Sequence, residues 1–117
     1  MRRRLPAAVL LALVSVVHAH AHLRSSVPAD ASTLSISPAS LVLKFSEAAV
    51  LTTATLQKEG AAARKLVPLP TRASMQVSFA LPALAPGAYV VSWRALSADG
   101  HIMPGKIHFT IAAAGSP

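Results

Sequence analysis

The chain contains no cysteine. An exported protein without cysteine has no disulfide framework, so burial of a core must hold the fold by itself. Thiolate ligation of a metal is excluded at the same time. Acids are almost as scarce: Asp30, Glu47, Glu59 and Asp99 are the 4 Asp and Glu of 117 residues. So few carboxylates make a glycosidase pair improbable. No glycine-rich phosphate loop occurs, and no serine sits in a nucleophile elbow with a matching histidine and acid. Aromatics are only 4% of the chain, with one Trp and one Tyr. Beyond residue 20 no apolar run is long enough to cross a bilayer, so the mature chain is expected to be soluble.

What is present begins with a leader. Arg2, Arg3 and Arg4 precede an apolar run from Ala7 to Val17 that only Ser15 interrupts. Small residues follow at Ala19 and Ala21. This is the basic, apolar and small-residue order of a secretory signal peptide, and the run is too short for a membrane anchor. Cleavage after Ala19 leaves His20 first, whereas cleavage after Ala21 leaves His22 first. The expected organisation is a cleaved signal over residues 1–19 and one domain over residues 20–117. Three of the 11 basic residues, Arg2, Arg3 and Arg4, leave with the signal, so 8 face 4 acids and the mature net charge is +4. The remaining basic residues form no run and are not interleaved with aromatics. Nucleic acid is therefore excluded as a partner.

Short alternating segments fill the mature part. Leu41, Leu43 and Phe45 fall on one face, and so do Tyr89, Val91 and Trp93, and Ile107, Phe109 and Ile111. Strands are also expected near residues 22–27, 50–57, 65–67 and 75–79, with Pro and Gly between them. Residues 28–32 read as a turn, and Pro86-Gly87 as another. Met75 alternates with core positions and is expected to pack. Residues 113–117 read as a frayed tail. The pattern gives an all-β chain of about seven antiparallel strands, an immunoglobulin-like Greek-key sandwich or barrel.

Two features carry chemistry. The first is the corner Asp99-Gly100-His101, which offers a carboxylate and an imidazole two residues apart, with Gly100 supplying the backbone freedom of a tight turn. Alone it is a weak motif. The second is the histidine that cleavage makes N-terminal. Its α-amine, with a pKa of about 7.7–8.0, and its ring can chelate one ion. Together with Asp99 and His101 this makes a three-nitrogen, one-oxygen set, which suits tetragonal Cu(II). If His20 is first, His22 in third position offers a secondary, fold-independent chelate. Glu47, at the end of Phe45-Ser46-Glu47, can orient a ligand or approach the ion weakly. Met103 alone beside the corner cannot make a soft site, so no Met-rich Cu(I) site is expected. His108 falls on an outward face as a surface residue, and Trp93 and Tyr89 read as core.

These residues stand in segments that resemble the CopC-type periplasmic copper-binding proteins, the copper-resistance family that includes YobA-like members. The likeness runs through residues 20–29, Leu43-Lys44-Phe45-Ser46-Glu47 and residues 84–101, and closes at Gly105 and Phe109. The resemblance implies an immunoglobulin-like sandwich in the periplasm that binds one Cu(II) per chain without turnover. It implies His20, Asp99 and His101 as ligands and Glu47 as a weak or supporting group. It makes His20 the first mature residue, because the family begins His-x-x-Leu. It further implies an inner-membrane copper importer of the CopD type as a partner. Some relatives carry a Met-rich Cu(I) site after the Phe-Ser-Glu element, but residues 56–70 hold no Met or His here. The alternatives are a copper-dependent oxygenase of the polysaccharide-monooxygenase type and a metal-free immunoglobulin-like module.

Overall fold

Alternation becomes strand wherever a neighbour is available to pair. The computed structural model describes residues 21–113. The expected signal peptide, His20 and most of the expected tail lie outside them. Seven strands follow in order: β1 (Leu23–Val27), β2 (Ser32–Leu34), β3 (Ser40–Lys58), β4 (Arg64–Lys65), β5 (Ser74–Ala80), β6 (Gly87–Ser97) and β7 (Ile102–Ile111). Among the described residues there is no helix.

The strand β3 organises the rest. Its first part pairs with β1 on one side, Ser26 opposite Leu43, and with β5 on the other, Leu41 opposite Phe79. Its second part pairs with β6, from Ala49 opposite Ser97 to Lys58 opposite Tyr89, and with β4 at Thr55 and Leu56. One strand therefore serves both layers, and the sandwich is a single curled sheet running β1-β3-β6-β7-β2, with β4 and β5 also on β3. Two irregularities make the passage possible. The register against β5 shifts between Lys44 and Ala49, and that against β6 shifts between Leu51 and Thr53. The second shift is a bulge that resets the phase: Leu51 is buried, Thr52 and Thr53 are both exposed, then Ala54 and Leu56 are buried. Glu47 has the parity of the core residues yet is exposed, because the strand is leaving one layer for the other there.

The core lies between the layers. Phe45, Phe109, Leu41, Leu43, Ile107 and Val91 are fully buried, each contributing about 1.5–3 kcal/mol of burial. Trp93 meets Phe45 edge to face at 5.4 Å, and Tyr89 stacks on Phe109 at 5.7 Å. The Tyr89 hydroxyl donates to the Ala85 carbonyl at 2.5 Å, tying the β5–β6 connection to β6. Gly105 stands opposite Trp93 on β7. A Cβ there would lie 2.2 Å from the indole Cζ2, so the ring needs a glycine beneath it.

Three expectations are corrected. The segments around residues 41–45 and 50–57 are one strand. The turn region after Pro28 leads into β2, which runs parallel to β7 from Ser32 opposite Phe109 to Leu34 opposite Ile111, so the pairing is not wholly antiparallel. Met75 is 53% exposed instead of packed. It shares the parity of Val77 and Phe79, but β5 pairs regularly with β3 only as far as Gln76, and the layer does not continue beneath it.

Candidate metal centre

The hairpin between β6 and β7 builds the corner. The Ser97 amide donates to the His101 carbonyl at 2.9 Å, and the Gly100 amide donates to the Ser97 carbonyl at 3.0 Å. This is a three-residue loop, a turn followed by one residue in the left-handed region. Gly100 fills that position with φ of 88°, where a side chain would be strained. The sequence expectation for Gly100 holds.

Ser97 sets the chemistry of the corner. It is 5% exposed, buried beneath the loop. Its hydroxyl donates to Asp99 Oδ1 and lies 3.1 Å from the His101 carbonyl. The His101 amide also donates to Asp99 Oδ1, at 3.3 Å. Asp99 Oδ2 lies 3.0 Å from His101 Nδ1. The Ser97 hydroxyl, followed by the His101 ring, holds the Asp99 carboxyl well below the usual carboxylate range. Asp99 is thus an anion throughout the physiological range. A carboxylate on Nδ1 selects the tautomer that carries its proton there, leaving Nε2 as the basic nitrogen that a metal ion needs. The sequence signal for Ser97 was a serine two residues before an Asp-Gly turn, the pattern of a side chain that caps a turn.

The first described residues reach the same place. The His22 amide donates to Ser46 Oγ at 2.9 Å, and the Ser46 amide donates to the His22 carbonyl at 2.9 Å. His22 is therefore fixed at the point where β3 changes layers. His22 and His101 line one open groove of about 600 Å³ at the end of the sandwich, with Leu23, Trp93, Ser97 and Met103 among its walls. Trp93 is 4% exposed, packed as expected, and forms part of the groove floor.

The expected ligands are placed unequally. Asp99 and His101 are brought together. His20 lies outside the described residues. Glu47 is one residue from Ser46 and two before Ala49, whose partner on β6 is Ser97. Among the described residues it makes no hydrogen bond or ion pair with the corner. No group of three or more His, Cys, Asp or Glu converges among the described residues, so the corner supplies two ligands of the expected set. His108 is on the outer face as expected, but it has a partner the sequence did not reveal. Asp30 Oδ1 accepts the His108 amide at 2.8 Å and lies 3.0 Å from its ring Nδ1. The Ala31 amide donates back to the His108 carbonyl at 2.6 Å. This clasp holds the loop before β2 against β7.

Comparison with known proteins agrees with the fold. A model of the CopC domain matches residues 23–112. The YobA proteins of Escherichia coli K12 and Shigella flexneri are 30% identical over 100 residues, 81% of this chain and 81% of theirs. Among solved structures, CopC from Methylosinus trichosporium OB3b aligns with a TM-score of 0.70 at 25% identity, covering 84% of this chain and 99% of that one. PcoC, a methionine-rich copper resistance protein from Escherichia coli, aligns with a TM-score of 0.61 at 30% identity over 80% of this chain and 99% of its own.

Proposed function

This chain belongs to the CopC family, and on that premise we propose that it is a periplasmic Cu(II) carrier or buffer in copper resistance or uptake. The observation that carries the reading is the Ser97-Asp99-His101 corner. It holds an ionised carboxylate and an oriented imidazole on a rigid hairpin, beside the strand crossing that anchors His22. The ion would be held by the amine and ring of His20, the His101 imidazole and the Asp99 carboxylate, with Glu47 as a weak or supporting group and His22 as a secondary donor. Such a nitrogen-rich set with one hard oxygen favours Cu(II) over Cu(I).

The function is binding, with no turnover. Protons compete for the same lone pairs, so copper is held at neutral pH and released as the amine and imidazoles protonate. PcoC is methionine-rich. This chain has 3 methionines, one of them Met1, so transfer between a Cu(II) site and a Met-rich Cu(I) site is not part of the proposal. Export by cleavage after Ala19 completes the site, and an inner-membrane importer of the CopD type is the proposed receiver.

The test is Cu(II) titration of the mature chain beginning at His20, beside a chain with one additional residue before it. The extension blocks the amine chelate and is expected to weaken binding at least about tenfold, the scale of losing a ligand-supporting group. Equal affinity for the two chains removes His20 from the ligand set and with it this reading of the site.

A further inference from the structure

The groove beside the corner has a donor that the Cu(II) set does not use. Met103 follows His101 by two residues at the start of β7. His101 closes the hairpin just before the strand, and Met103 is its second residue. The parity of Met103 is that of Gly105, Ile107 and Phe109, so its thioether lies on the inner side and is half-buried against the core. It lines the same groove as His101 and His22. A single methionine makes no soft site by itself, but the fold sets two imidazoles on the same groove.

We propose that this groove is a second coordination position, for a monovalent soft cation, Cu(I) or Ag(I), held by the Met103 thioether and the His101 imidazole, with His22 as the third donor. The donor chemistry fits: thioether sulfur selects Cu(I) over Cu(II). A d10 ion has no geometric demand of its own from d electrons, so a three-donor set drawn from the β6–β7 hairpin and the segment before β1 can satisfy it. The surroundings fit as well. Leu23 and Trp93 make the walls apolar, and moving a doubly charged ion against apolar walls costs far more than moving a singly charged one. Met103 has three rotatable bonds, so the sulfur can reach an ion without the strand moving.

The two positions share His101, so they exclude each other. The inference rests on the corner reading for His101 alone and is independent of His20. It extends the proposed function from one oxidation state of copper to two, in adjoining places, without a Met-rich loop.

The experiment uses the mature chain labelled with ¹³C at its methionine methyl groups. Ag(I), a redox-inert stand-in, is titrated first, and Cu(I) is then added without oxygen against a competing chelator. The expected result is a shift of the Met103 methyl signal that saturates at one ion per chain while Met75, exposed on β5 and not part of the groove lining, stays in place. Met103→Leu is expected to weaken Ag(I) and Cu(I) at least tenfold, with Cu(II) affinity within twofold and the melting temperature unchanged. A Met103 signal that does not move, or a Met103→Leu chain that binds Ag(I) as tightly as the parent, overturns the inference. Loss of the Cu(II) reading by the extended-terminus test leaves this result intact, and the reverse also holds.

Discussion

At the scale of single residues, Ser97 matters more than its ordinary appearance suggests. It is buried beneath the corner, and its hydroxyl is the principal cause of the lowered Asp99 pKa. Ser97→Ala is expected to leave the hairpin formed, since the Gly100 and Ser97 backbone bonds do not need the hydroxyl. It should weaken Cu(II) binding about tenfold through loss of an outer support, which a competition titration measures. Asp30 makes a second residue-scale prediction. The backbone amide of His108, followed by its ring, lowers the Asp30 pKa. A carboxyl acid-shifted in the fold contributes stability that is fully present above the unfolded value of about 3.9 and is lost as pH falls through the folded value. Melting temperatures of the parent and Asp30→Asn should therefore differ at pH 7 and converge as pH falls through the lowered Asp30 value. Curves that stay parallel over that range rule out the clasp as a source of acid sensitivity.

At the scale of elements, the hairpin and its neighbours show what a sequence can reveal. The turn at Asp99, Gly100 and His101 was legible because these residues are adjacent and Asp-Gly reports a turn directly, whereas the part played by Ser97 was not read. The alternation of β6 and the later part of β7 was legible because Trp93, Ile107 and Phe109 are large and bury on one face. The unity of β3 was not legible. Phe45-Ser46-Glu47 reads as the end of a strand, and the phase change at Thr52-Thr53 hides its continuation. Nor was β2, whose three residues are defined by a parallel pairing with β7 that lies more than seventy positions away. Met75 misled because alternation continues past the point where the sheet has a layer to bury it. The opposition of Trp93 and Gly105 gives the element-scale prediction. Gly105→Ala forces the indole or the β7 backbone to move, and is expected to cost about 1–3 kcal/mol, the usual range for an overpacked core. A urea denaturation midpoint unchanged from the parent would show that the ring moves aside freely.

At the scale of the whole molecule, no disulfide joins the two layers, and β3 is the strand that runs through both. Sheets joined only by loops can separate, each with its own opening free energy. Here the amides of residues 41–45 and 50–57 belong to one backbone ladder bonded to β1, β5, β6 and β4. Native-state hydrogen exchange should find them opening together, at the free energy of global unfolding. Two distinct isotherms for the two halves of β3 would contradict that. The crossing point is also where His22 is pinned to Ser46. A metal ion seated between that crossing and the β6–β7 hairpin would act as a rivet through both layers. Slowed exchange throughout β3 on adding copper would then report the occupancy of the site from within the core.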